Sequence, residues 1–312
     1  MPTRKSPRKG SLQFWPRKRA KKFLPRVNWS AIDADSKYVK GFICYKAGMM
    51  SAIVKDNTAD SMTKGKRIAV PVTVLECPTM KIFSVRFYKY GKVMKDVLAD
   101  NLDKEIKRKV KISKVNKAKV DDIKEYDDIK IIFYSQVKKT GLKKTPDLSE
   151  IDLKGSVEEK LAWIKENLGK EISVADVFDK GQLVDMRGLT KGKGLQGPVK
   201  RFGIKLKFHK SEKGRRRPGS LGPWHPARVT FRAPQAGQLG MFTRLVYNNK
   251  IMDMGKVDGK IKNLKNFGDV KTDYVVVRGS VQGPAKRQLL MTTPLRSTKK
   301  QSKKEFEMVD LK

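Results

Sequence analysis

Residues 188–240 read GLTKGKGLQGPVKRFGIKLKFHKSEKGRRRPGSLGPWHPARVTFRAPQAGQLG. Ten glycines and five prolines punctuate this run, and it shows neither the period of 2 of a strand nor the period of 3.6 of a helix. Loops of this length without structure of their own are uncommon in an ordinary domain. The wider stretch 186–252 carries sixteen Lys/Arg and one acid, Glu212. Phe202, Phe208, Trp224 and Phe231 argue against simple disorder, because disordered segments are poor in aromatics. The segment reads as an extension that leaves a globular body and orders against a partner of opposite charge.

Outward from that run, the whole chain is cationic. Its 312 residues hold 71 Lys+Arg against 32 Asp+Glu, a formal net charge of +39. Such an imbalance repels itself in a compact state unless a polyanion neutralises it. A nucleic-acid backbone does so with a gain from counterion release. Residues 1–30 carry ten Lys/Arg and no acid, with Pro2, Pro7, Pro16 and Pro25 breaking any long helix. Phe14, Trp15, Phe23 and Trp29 are interleaved there, which suits an extended arm that stacks on exposed bases. A disordered targeting tail is the plainer alternative. A third basic block, 274–304, has eight Lys/Arg and no acid, whereas 121–185 has fifteen acids and eleven Lys, an ordinary solvated surface.

Strands are predicted at 38–45 (YVKGFICY), 67–75 (RIAVPVTVL), 81–88, 129–134, 241–247 and 274–277, with a further one after the Lys180-Gly181 turn. Val70, Val72 and Val74 fall on one face of the second, and Pro71 assigns that strand to an edge or a bulge. Short, dispersed, Gly-punctuated strands suggest a β-barrel or sandwich. A helix is predicted after Ser156, where Ser156 and Glu159 form a capping box and Gly169 supplies the stop. A second helix is expected over 96–112. The fold class is mainly β with an α/β insertion. The expected organisation is a basic N-terminal arm, 1–36; a β body of 37–95 with 172–187 and 241–312; an α/β insertion, 96–171; and the basic extension, 188–240.

Several motifs exclude chemistry rather than supply it. Gly192-Lys193-Gly194-Leu195-Gln196-Gly197 matches G-x-G-x-x-G literally, but Pro198 follows at once and no acid stands at the ribose-binding distance. A backbone that lets phosphate approach closely is the better reading. His209 and His225 are the only histidines, with no Cys beside either, so no N/S metal cluster or Ser-His-Asp triad is expected. Cys44 and Cys77 sit in apolar runs and read as buried thiols. Asn28-Trp29-Ser30 is an accidental glycosylation match. No apolar run of 18 residues, signal h-region or prenylation box is present, so a soluble intracellular protein with no membrane partner is expected; its location is expected to be cytoplasmic, with no cofactor and no small-molecule substrate. Arg215-Arg216-Arg217 is a phosphate-binding cluster, with a solvated charge run or a nuclear-import signal as the plainer alternatives. Trp224, between turn residues in a basic loop, is a stacking element or a core Trp.

GLTKGKGLQGPVKRFG (188–203), RRRPGSLGPWHPARV (215–229), AGQLGMFTR (236–244) and the N-terminal PRKGSLQFWPRKRA together resemble the universal ribosomal protein L-three family, in its archaeal and eukaryotic form. The resemblance implies a translation-factor-like β-barrel broken by an α/β insertion. It implies a structural, non-enzymatic constituent of the large ribosomal subunit that binds 23S-type rRNA near its 3′ end and nucleates assembly. Its extension would run toward the peptidyl transferase centre with Trp224 and His225 at the tip, beside the large-subunit proteins numbered fourteen and twenty-four-e. The bacterial family's methylated Gln has no counterpart at Pro223-Trp224-His225. The residues expected to contact rRNA are Arg4, Lys5, Arg8, Lys9, Trp15, Arg17, Lys18 and Arg19 in the arm. In the extension they are Lys191, Lys193, Lys200, Arg201, Lys205, Lys207, Arg215, Arg216, Arg217, Trp224, His225, Arg228 and Arg232. A DNA-binding chromatin-type protein is the alternative, without a visible recognition helix. An RNA-modifying enzyme stands third, without a carboxylate anywhere in 213–252.

Overall fold

The computed structural model describes residues 7–33, 37–112, 120–123, 125–256 and 261–312. Its strands are β1 (Gly41–Asp56), β2 (Arg67–Glu76), β3 (Met80–Lys89), β4 (Lys92–Leu98), β5 (Asp128–Ser135), β6 (Leu148–Asp152), β7 (Leu183–Leu189), β8 (Leu195–Gln196), β9 (Gly237–Gln238), β10 (Thr243–Gly255), β11 (Tyr274–Arg278), β12 (Gln288–Thr292) and β13 (Phe306–Leu311). The helices are α1 (Val157–Asn167), α2 (Pro198–Phe202) and α3 (Lys299–Ser302). The fold is mainly β. Two compact units form, one from residues 23–188 with 245–312 and the other from 1–22 with 189–244.

The larger unit is organised by β1. Its first residues pair with β12, from Gly41↔Thr292 to Tyr45↔Gln288. Its last residues pair with β13 on the same side, and β2 runs along its other side. The seven-stranded order is β12-β7-β10-β11-β2-β1-β13, and the β12–β1 pairing makes six of these strands return on themselves. Val70, Val72 and Val74 are buried together, as their alternation predicts. β2 is not an edge strand, however, because β11 flanks it too. The β11 ladder ends at Arg278↔Val72, and Gly279 N–H donates to the Pro71 carbonyl just beyond it. Pro71 therefore lacks its N–H where no ladder partner is required.

A four-stranded sheet, β4-β3-β5-β6, packs its apolar side against the seven-stranded one in a second, larger cluster, where Phe87, Ile131, Phe133 and Ile151 join Phe42, Ile43, Leu75 and Met291. Tyr45 adds a polar tie, its hydroxyl donating to Asp147 at 2.6 Å and lying 2.7 Å from Ser135 Oγ. The helix expected over 96–112 does not form. Tyr90 (φ 51) and Gly91 (φ 70) make a two-residue hairpin turn that draws residues 92–98 into β4, with Val97 opposite Val85. Residues 104–108 form only a 3-10 turn that buries Ile106 beside Phe83 and Tyr134. Cross-strand burial of Val97 outweighs the helix propensity of the Lys/Glu-rich stretch.

α1 starts where the capping box places it. Glu159 N–H donates to Ser156 Oγ at 3.3 Å, and Ser156 N–H donates to Glu159 Oε2 at 3.2 Å. Ile164 is buried, with Val157, Leu161, Trp163 and Leu168 half-buried against the core. Lys160 is also buried, donating to Asp128 at 2.7 Å and Asp152 at 2.9 Å, and Asp152 accepts from Lys40 as well. Burial opposes the Lys160 charge, but the bonds to Asp128 and Asp152 outweigh it and raise its pKa. Trp29, read with the arm's aromatics in the sequence, is a core residue at 3% exposure. It closes over Gly41, where a Cβ would lie 2.9 Å from the indole. Cys44 and Cys77 are free and buried. Replacing Ser156 by Ala removes one half of the capping box and is expected to cost about 1 kcal/mol of unfolding free energy. Urea denaturation of the purified chain measures it, and an unchanged midpoint would show that the box does not stabilise α1.

Candidate nucleic-acid interface

In the smaller unit the outgoing and returning chains pair at their base. Thr190 N–H donates to Phe242 O at 3.0 Å, Lys193 N–H to Leu239 O at 2.9 Å, and β8 pairs with β9 through Leu195↔Gln238. Gly240 (φ +80) is buried in this ladder, where a Cβ would lie 2.0 Å from the Lys191 carbonyl. Gly197 precedes α2, Pro198 occupies its first turn, and Gly203 (φ 66) ends it. The G-x-G-x-x-G run thus joins a two-residue strand to a five-residue helix, far short of the βαβ unit a dinucleotide fold requires.

Arg201, on α2, ties the base together. Its guanidinium donates to the carbonyls of Gln238 (3.0 Å), Gln235 (3.1 Å) and Arg17 (3.4 Å). Arg17 returns the bond by donating to Arg201 O at 3.2 Å and lies 4.4 Å over the Phe202 ring. Trp15 stacks beside Phe202 at 6.3 Å and meets Phe231 edge-on at 5.2 Å. Arg8 donates to Arg232 O at 2.8 Å, and Ala20 N–H to Met241 O at 3.0 Å. The arm is therefore laced along the extension. Gly237 is required at this joint, because a Cβ there would lie 2.8 Å from Arg201 Cζ.

The electrostatics are one-signed. This unit has nine Lys/Arg in 1–22 and fourteen in 189–244, against the single acid Glu212. Burial, then the charges of Arg201, Arg244 and Arg8, push the Arg17 pKa down. Beyond the base, Lys207 and Arg215 bond backbone to backbone at 3.0 Å and start a loop without helix or strand. Trp224 stands 84% exposed in it, where Ala227 N–H donates to Trp224 O at 2.6 Å to close a turn. An exposed indole flanked by cations has the flat apolar face and the surrounding charge that base stacking requires.

A model of the family described as Ribosomal protein L3 matches residues 1–312. The chain belongs to the ribosomal protein L3 family. The protein named large ribosomal subunit protein uL3 of Methanocaldococcus jannaschii is 40% identical over 308 residues, covering 93% of this chain and 91% of its own length. That of Archaeoglobus fulgidus is 41% identical over 310 residues, covering 94% and 93%. The resemblance read from the GSLGPWHPA turn and its neighbours is thereby borne out.

Within this family member, the sequence-predicted RNA-facing residues fall into two groups. Arg8, Lys9, Lys18, Arg19, Lys191, Lys193, Lys200, Lys205, Arg215, Arg216, Arg217, Trp224, His225, Arg228 and Arg232 are exposed. Trp15, Arg17, Arg201 and Lys207 are half-buried, and the first three face protein groups at the base. Arg4 and Lys5 lie outside the described residues. Sequence reasoning passed over Arg244, which lies 4.5 Å over Phe14 and 5.3 Å over Phe242. Its place at the end of AGQLGMFTR was the available signal. Arg201→Lys loses the planar fork that reaches several carbonyls at once. It is expected to speed limited tryptic cleavage within 203–232 several-fold while leaving the sheet unit resistant. Equal cleavage rates for variant and wild type would show that Arg201 does not hold the base.

Proposed function

We propose that this chain binds large-subunit rRNA through its arm and extension, and that the extension carries Trp224 and His225 as its tip toward the peptidyl transferase centre. By family, the chain is a structural constituent of the large ribosomal subunit rather than an enzyme. It sits on the ribosome in the cytoplasm among rRNA and other ribosomal proteins. The observation that carries the finer reading is the smaller unit itself, with its one acid, its carbonyl-held base and its exposed Trp224. Such a unit is self-repelling alone and is completed by a polyanion.

In this reading the exposed cations neutralise phosphates of 23S-type rRNA near its 3′ end, Trp224 stacks on an unpaired base, and binding nucleates subunit assembly. Arg17, Arg201 and Trp15 set the geometry from which the other side chains reach. The β12–β1 pairing, which returns the strand order on itself, supports a translation-factor-like β-barrel as the platform. The large-subunit proteins numbered fourteen and twenty-four-e are the proposed neighbours.

The test is sedimentation of the native protein from lysate. Co-migration with the large subunit that resists moderate salt and disappears on ribonuclease treatment supports the reading. Migration as free protein, or with the nucleoid, contradicts it and favours a DNA-binding role. Trp224→Ala is expected to keep most RNA affinity, since stacking of one base contributes about 1–3 kcal/mol, yet to slow peptide-bond formation on reconstituted subunits. An unaltered rate would remove the tip assignment.

A further inference from the structure

The third basic block holds a different kind of surface. Arg296, Lys299, Lys300 and Lys303 are all exposed, and no acid occurs anywhere in 274–304. Lysines this close repel one another, yet the loop that carries them is pinned by the buried Asp185 and Lys250 and the half-buried Asn248. Asp185, fully buried, accepts from Asn248 N–H at 2.8 Å and from Leu295 N–H at 3.0 Å. Asn248 Nδ2 donates to Arg296 O at 2.9 Å and Thr298 Oγ1 at 3.0 Å. Lys250, 7% exposed, donates its ammonium to the carbonyls of Ser302 and Lys304.

A buried ammonium is costly and is normally matched by a carboxylate. Here its hydrogen-bond acceptors are main-chain carbonyls, which satisfy the donors, and Glu305, just past the loop, offsets the charge only in part. The loop is thus both rigid and positive. Between Arg296 and Lys304 there is no aromatic residue, but Ser297, Thr298, Gln301 and Ser302 supply polar groups among the cations. That composition fits phosphate oxygens rather than base faces.

We propose that the loop 296–304 is a second rRNA-binding surface, a pre-ordered phosphate site in the sheet-bearing unit, built without any residue of the arm or extension. It rests on the RNA-binding reading above. Because its backbone is already fixed, it recognises the backbone of a folded RNA without first having to order itself.

The test measures RNA affinity of the full chain against salt, using a transcript of the 3′-terminal domain of large-subunit rRNA. The loop variant is K299Q/K300Q/K303Q, and the control is K64Q/K92Q/K95Q, three lysines exposed elsewhere in the same unit. Thermal melts check that both variants fold. The loop variant is expected to flatten the slope of log affinity against log salt by about 2 to 3, at about 0.9 for each phosphate that is no longer neutralised, and the control to change it by less than about 1. Equal slopes for loop variant and control overturn the proposal while leaving the extension's role standing. If polyglutamate binds the wild type and not the loop variant, while RNA binding is the same for both, the loop is a dock for acidic protein and the proposal falls. Failure of the wild type to bind the transcript at all overturns the RNA-binding reading and this one with it.

Discussion

The bond between a cation and a main-chain carbonyl is the interaction on which the rest of this structure depends. Arg201 holds the base of the extension through carbonyls of Gln235, Gln238 and Arg17. Arg8 reaches Arg232 O, Lys46 reaches the carbonyls of Val281 and Gly283, and Lys250 those of Ser302 and Lys304. A carbonyl satisfies the donor but leaves the positive field intact. Burial pushes the Lys250 pKa down, with Glu305 opposing and Arg278 adding to the shift, the cost of holding charge this way.

The four-stranded sheet follows the opposite rule. Arg86 lies between Asp96 at 2.7 Å and Glu150 at 2.8 Å, and Lys40, Asp152, Lys160 and Asp128 form an alternating chain. Its charges cancel locally, in half-exposed pairs around Arg86 and in buried ones around Lys160. One chain thus keeps two electrostatic regimes: cations paired with carboxylates around the four-stranded sheet, and cations far outnumbering acids in the arm, the extension and the 296–304 loop. The second regime is self-repelling, and in the function proposed above a polyanion relieves it.

How much of this was legible in the sequence depended on the range of the interaction. β2, β3 and β5 declared themselves through alternation, and α1 through Ser156 and Glu159, because those signals are local. The 96–112 helix failed because Val97 is claimed by Val85 across a hairpin whose Tyr90–Gly91 turn carries a weaker signature than Asn-Gly. Pro71 misdirected the reading of β2 because the end of the β11 ladder is set by residues near the other end of the chain. The arm–extension joint was invisible for a different reason. Arg17 and Arg201 are 184 positions apart and bind carbonyls, which every residue possesses. Trp29 was hidden by its basic neighbours, and its partner Gly41 gave no sign of a close approach. The family was legible, by contrast, because the runs 188–203, 215–229 and 236–244 carry it in the order of their residues, whatever fold surrounds them.

Hydrogen exchange of the full chain, free and bound to the large-subunit rRNA transcript, tests the account most directly. Amides of 204–232, which lack helix or strand partners, are expected to exchange fast in the free chain and become strongly protected on RNA. Those of β1, β2 and β12 are predicted to stay protected in both. Protection of 204–232 that is already high without RNA, or unchanged on binding, would contradict the claim that this positive segment is completed by a polyanion.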